Sequence, residues 1–323
     1  MEATSQIDQM RTVKYATSEI YSLRWSFDDT LLACAEGNGH VSIYDTSLLK
    51  KRDIDCKLLE SMPLFSIRWR PDKGLTKNVL LIASSEGALL HCHATTGKII
   101  HSIVLSDNQA LCCDYSPEGD HFASGWKDSI VRVYDDNTKQ QISDLKRYGD
   151  KLGHSNRVYS VKWTSPYTLF SAGWDNNIYM WDLRTNCVEK YFHGAYISGD
   201  AIDVYGDLLL TLDCSINNQL KVWSVGQGQI VHSATLEQGG KPFRGYTAQF
   251  AKDNGNMIFL GGSGNYQGYL LNSGIYTQVF AFSNMMAPIY TCDFGNTTSK
   301  VALGTGDGTI CEFRIVSSGN TNQ

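Results

Sequence analysis

Apolar and polar residues alternate along this chain in short runs bounded by Gly, Asp, Asn and Ser, and one kind of run returns seven times. It begins at Ile20 (IYSLRW), Leu64 (LFSIRW), Ala110 (ALCCDY), Val158 (VYSVKW), Ala201 (AIDVYG), Gly245 (GYTAQF) and Ile289 (IYTCDF), at spacings of 44, 46, 48, 43, 44 and 44 residues. A small-residue run such as LLACAE, HFASGW, LFSAGW or KVALGT follows, then an Asp- or Asn-bearing turn and a third run such as HVSIYD, IVRVYD, NIYMWD or TICEFR. Alternation with β-branched and aromatic content predicts strands throughout. Several short strands repeating at a fixed period predict four-stranded sheets arranged radially. The expected fold is all-β, a seven-bladed β-propeller filling residues 1–323 as a single domain.

Strand counting also predicts how the ring closes. The last unit supplies three strands, while residues 11–16 (RTVKYA) have strand character and precede the first unit. Placing this N-terminal segment as the outer strand of the last blade completes seven sheets and removes an unpaired edge.

Composition narrows the class further. With 42% hydrophobic and only 19% charged residues, the chain suits blades packed on both faces. A net charge of −5 gives no reason to expect nucleic acid or an anionic membrane as partner. Residues 1–10 are polar and acidic, unlike a signal peptide, and no apolar stretch approaches membrane-spanning length. Nine cysteines, mostly inside strand patterns, read as free buried thiols of a reducing compartment. A cytoplasmic protein is expected.

The fourth unit carries the most specific pattern. Gly153-His154 precedes its first strand, Ser171 lies in the second, Asp175 in the turn, and Trp181-Asp182 ends the third. This resembles the WD40 repeat family, whose units run from a Gly-His pair to a Trp-Asp pair. The resemblance implies that His154, Ser171, Asp175 and Trp181 form a hydrogen-bonded network stapling the blade, a structural rather than catalytic use of Ser, His and Asp. Other units depart from the pattern. The third keeps Ser124 and Asp128 with Tyr134 for Trp, and the seventh keeps Asp307 with Phe313. In the fifth, Thr211 and Trp223 match if the turn Cys214–Asn218 is longer, which leaves its Asp equivalent open.

Chemistry is sparse. In His91-Cys92-His93 alternation sends the two imidazoles to one face and the thiol to the other, so a strand pair is expected there rather than a metal site. Gly304–Gly308 lacks the Lys and the following helix of a phosphate-binding loop. No CxxC, HExxH or GxSxG occurs. No catalytic residue, metal or cofactor is expected.

What remains is surface. The resemblance implies binding on the rim where the first strands begin, which on this chain gives Tyr21, Phe65, Tyr159 and Tyr290 from the first strands, and Lys127 and Trp174 from the turns, with Trp126 beside Lys127. Such aromatics are hot-spot material, and the alternative for each is packing against the adjacent blade. The connector Lys139–Gly153, with Lys146, Arg147 and Lys151, reads either as a basic flap for an acidic partner segment or as a solvated loop.

The expected function is a non-catalytic protein-binding scaffold or adaptor. The stretches Gly194–Leu210, Asn218–Trp223 and Gly261–Gly264 resemble stand-alone WD40 proteins of ciliated and flagellated protists, which implies a place in a cilium or the cytoskeleton. An adaptor in a ubiquitin-ligase or chromatin complex is the competing reading. The alternative from another class is a propeller enzyme, for which Asp114, Asp203 and Asp293 are the first-strand carboxylates able to converge on a channel.

Overall fold

The computed structural model describes residues 5–14, 16–58, 60–72, 76–238, 241–264, 268–283, 285–297 and 299–317. Seven four-stranded antiparallel sheets follow one another in chain order, and among the described residues there is no helix. The fold is therefore the seven-bladed β-propeller that the repeat predicts. Innermost strands run Ile20–Trp25, Leu64–Trp69, Ala110–Tyr115, Val158–Ser165, Ile202–Tyr205, Arg244–Phe250 and Ile289–Phe294.

The ring is closed by the N-terminal strand. Ser5–Lys14 pairs antiparallel with Thr309–Ser317, from Ser5 opposite Ser317 to Lys14 opposite Thr309. This strand begins earlier than the expected 11–16 because an irregularity between Asp8 and Arg11 lets pairing continue past it. It ends at Lys14; Tyr15 lies outside the described residues, and Ala16 is buried at the entry to the first blade. Arg11 meets the buried Glu312 at 2.6 Å and Lys14 meets Asp307 at 3.0 Å, so two charge pairs accompany the backbone ladder.

Inner and middle strands are almost wholly buried, and outer strands such as Lys50–Asp55 and Lys98–Val104 are mostly exposed. The last residue of the first-strand run, Trp25, Trp69, Tyr115, Trp163, Phe250 or Phe294, is buried in six blades. All nine cysteines are free, and seven of them are buried. Burial pushes the Cys92 and Cys113 thiols up to about 11, so they behave as small apolar side chains.

Candidate functional site

A backbone irregularity builds the candidate site. In six blades the pairing of first and second strand skips one residue, the second of the run: Ile20 pairs with Glu36 and Ser22 with Ala35, leaving Tyr21 out of register. The same skip falls at Phe65, Leu111, Tyr159, Tyr246 and Tyr290. A bulge breaks strict alternation and re-aims its side chain. Here it turns the skipped residue into the mouth of the central channel, on the face where the first strands begin. The fifth blade lacks the bulge and offers Asp200, which stands three residues before Asp203 as Tyr21 stands three before Arg24. These seven side chains line one cavity of about 220 Å³.

The rings touch one another around the mouth. Tyr21 stacks parallel on Tyr290 at 5.5 Å and meets Phe65 edge-on at 5.4 Å, and Tyr246 meets Tyr290 edge-on at 5.4 Å. All five aromatics are half-buried. Burial, then the nearby Glu19 carboxylate and the neighbouring phenol, raise the Tyr21 pKa, so its hydroxyl stays a neutral donor. Tyr246, Leu111 and Asp200 were missing from the sequence reading. Tyr246 and Leu111 hold the same place in their runs as Tyr21, so position alone marks them; Asp200 lies outside its run and is marked by nothing local.

Trp174 and Tyr159 form a second group on the rim. Their ring centroids are 5.0 Å apart, Trp174 stacks on Tyr196 at 5.9 Å, and the Arg157 guanidinium lies 5.2 Å above the indole. The Trp174 Nε1–H donates to Ser198 Oγ at 3.1 Å. Trp174 and Tyr159 remain half-buried, and Lys127, in the turn of blade three, is exposed.

Trp126 is not a surface residue, contrary to its expected binding role. It is fully buried, its Nε1–H donates to Ser124 Oγ at 2.7 Å, and Arg132 lies 5.3 Å over its ring. Register supplies the reason. Ser124 corresponds to Ser171, opposite Cys113 and Val161 respectively, so Trp126 corresponds to Gly173 and not to Trp174, and alternation points it to the opposite face. Its indole does for blade three what an imidazole does for blade four.

In blade four, His154 Nδ1–H donates to Asp175 Oδ2 at 2.9 Å, Ser171 Oγ–H donates to His154 Nε2 at 2.7 Å, and Trp181 Nε1–H donates to Ser171 Oγ at 2.8 Å. Asp175 also accepts the backbone N–H groups of Ser155 and Asn177. Burial alone would push the Asp175 carboxyl up, but His154 and these amides outweigh it and hold it below the usual carboxylate range. Blade five repeats part of the set: Trp223 Nε1–H donates to Thr211 Oγ1 at 3.1 Å, and its turn acid is the buried Asp213, which meets Lys221 at 2.6 Å.

Below the mouth the channel is filled by charge. The fifth residue of six runs gives Arg24, Arg68, Asp114, Lys162, Gln249 and Asp293, and Asp203, the third residue of the fifth run, takes the same place in its blade. Asp200 joins Arg24 and, at 2.7 Å, Arg68; Arg68 meets Asp114 at 3.2 Å, Lys162 meets Asp203 at 2.7 Å, and Lys252 meets Asp293 at 2.9 Å. The three carboxylates considered for catalysis each also accept a backbone N–H from the next blade: Asp114 from Trp163, Asp203 from Phe250 and Asp293 from Trp25. Higher up, Ser22, Ser66 and Thr291 accept the amides of Ile67, Cys113 and Leu23 in the same way. Innermost strands that splay apart leave these amides without a backbone partner, and the side chains satisfy them. Burial lowers the Arg24 pKa to about 10, leaving it a cation at neutral pH.

No group of three or more His, Cys, Asp and Glu among the described residues is arranged to hold a metal ion. His91 is buried against Phe122 and His101, with Nε2 3.6 Å from Asp136, while His93 bonds Thr96. In the connector the described Lys146, Arg147 and Lys151 are exposed, and Lys146 pairs with Asp144 at 3.1 Å.

Seven closed sheets make this chain a seven-bladed β-propeller, and blade four carries the full stapling network. The family model for the WD domain, G-beta repeat matches residues 8–45, 88–135 and 146–182. Among curated proteins, the chain is similar to guanine nucleotide-binding protein subunit beta of Nicotiana tabacum, 28% identical over 46% of this chain and 40% of the relative. The namesake of Oryza sativa subsp. indica is 27% identical over 57% and 46%, and that of Arabidopsis thaliana 25% over 60% and 51%. The chain thus spans about half the length of the curated relatives it matches.

Proposed function

We propose that this chain is a non-catalytic adaptor that holds a partner protein on the aromatic mouth of its channel. The observation that carries the reading is the bulge repeated in six blades, which brings Tyr21, Phe65, Tyr159, Tyr246 and Tyr290 around one cavity. Rigid aromatic rings offer large contact area at low entropic cost, and partly buried ones gain most when a partner completes their desolvation. The engagement of Asp114, Asp203 and Asp293 with cations and backbone amides supports the non-catalytic reading, because none is left paired with a base. Likeness to guanine nucleotide-binding protein beta subunits supports a role as one subunit among several.

The partners we propose are proteins, without nucleic acid or membrane, and the compartment is cytoplasmic. Nine free thiols support the latter. A ciliary or cytoskeletal assembly is the proposed setting, on the likeness of its stretches at 194–210, 218–223 and 261–264. Affinity purification of the intact chain beside its Tyr21→Ala/Tyr290→Ala variant tests both parts. Partners lost with the two rings identify the assembly, and ubiquitin-ligase or chromatin components among them would replace the ciliary setting. A partner set unchanged by the variant overturns the mouth as the binding surface.

A further inference from the structure

We propose that the channel mouth is a socket for one cationic side chain, an arginine or lysine projecting from the partner protein. This deepens the reading above and rests on it. Of the described residues lining the cavity, Asp200 is the one that carries a charge. Its two carboxylate oxygens are used unequally. Oδ2 receives both Arg24 and Arg68, while among the described residues Oδ1 has only the Ser160 hydroxyl at 3.5 Å, the limit of a hydrogen bond. About a fifth of the side chain is still exposed, at 22%, so Oδ1 keeps unused acceptor capacity beside the cavity.

The walls agree with the base. Aromatic faces attract a cation through their quadrupole, and a side chain with an apolar stem and a charged tip fills an aromatic shaft ending at a carboxylate. An anionic side chain would meet Asp200 directly. A purely apolar one would strip water from Oδ1 and leave it unpaired. The two arginines behind Asp200 do not reverse the preference. Neither lines the cavity, and both also donate to backbone carbonyls of the channel wall, Arg24 to Leu23 and Cys292 and Arg68 to Ile67. Gly199 lets the backbone beside Asp200 pack against blade six, because a Cβ there would lie 2.3 Å from the Tyr246 carbonyl oxygen. On the rim, Glu19 stands beside Tyr21 in blade one, and the Arg157 guanidinium lies over Trp174 in blade four.

The test uses the unmodified chain with tyrosine rings labelled for NMR and four small probes: the N-acetyl amides of arginine, lysine, citrulline and norleucine. The arginine and lysine probes should shift the Tyr21, Tyr159, Tyr246 and Tyr290 signals in a saturable way, with the isosteric but neutral citrulline and the apolar norleucine at least about tenfold weaker. Equal binding of citrulline or norleucine overturns the inference, as does the absence of any shift at these rings. Asp200→Asn should weaken the arginine probe by about tenfold, and because the probe comparison needs no variant, a misfolded Asp200→Asn leaves the test intact. Partner capture separates the two readings. Loss with Tyr21→Ala/Tyr290→Ala but full retention with a folded Asp200→Asn overturns the cation socket and leaves the aromatic mouth standing; retention in both overturns both.

Discussion

Replacing Trp126 tests the register argument, because an indole on the rim and an indole in the blade interior respond oppositely. Trp126 has no exposed surface, and a buried aromatic of this size removes ~200 Å² from water, worth about 5 kcal/mol as an upper bound. Truncation to Ala also strips Ser124 Oγ of its donor and removes the ring under Arg132. The expected loss is about 3 to 5 kcal/mol. Trp126→Phe keeps most of the ring and loses the N–H, so its loss should be nearer 1 to 2 kcal/mol. Trp174→Ala, by contrast, removes a half-buried ring with one hydrogen bond to Ser198 and should cost about 1 kcal/mol. Urea titrations of the three variants, followed by circular dichroism, give the order directly. A Trp126→Ala variant no less stable than Trp174→Ala would refute the register assignment and return Trp126 to the surface.

Three further outcomes follow from the same contacts. Asp175→Ala should cost roughly 1 to 3 kcal/mol, through the donors of His154, Ser155 and Asn177 left unpaired, and Asp128→Ala less, because its Arg132 pair is more exposed; equal losses in denaturant titration contradict this. Since the folded Asp175 pKa is lowered, the stability it contributes is fully present above about pH 4 and is lost as pH falls through its folded value, so the gap between wild type and Asp175→Asn should close in acid titrations. Asp293→Ala should cost about 3 to 5 kcal/mol by leaving Lys252 and the Trp25 amide unpaired in the channel, and a neutral effect on the melting temperature would show the plug to be dispensable.

The ring itself was legible because its signal is repeated: seven runs at nearly equal spacing say more than any one run, and the short fifth strand Ile202–Tyr205 is secured by its neighbours. The His154, Ser171, Asp175 and Trp181 set was legible because all four residue types stand at fixed places. Two kinds of information were not. Trp126 and Trp174 both follow a glycine at the end of the second run, and although counting from Ser124 and Ser171 sets Trp126 one position earlier, only the fold shows that this position faces the blade interior. At the mouth, the second place of the run marks Tyr246 and Leu111 as readily as Tyr21, whereas Asp200 belongs to it through three-dimensional equivalence alone. Nor does the order of residues reveal that Arg24 and Asp200, 176 positions apart, meet across the channel.

Closure by the strand Ser5–Lys14 sets a problem of timing for the growing chain. Its partner Thr309–Ser317 is made about 300 residues later, which at ~5–20 residues per second is roughly a quarter of a minute to a minute of synthesis. Throughout that interval Ser5–Lys14 lacks its partner strand, while completed blades present open flanks to any chain nearby. The polar stretch Ser5–Lys14 suits that wait, with Asp8, Arg11 and Lys14 keeping it in water. The finished ring therefore exists only after two strands about 300 residues apart have found each other, a contact of very long sequence separation.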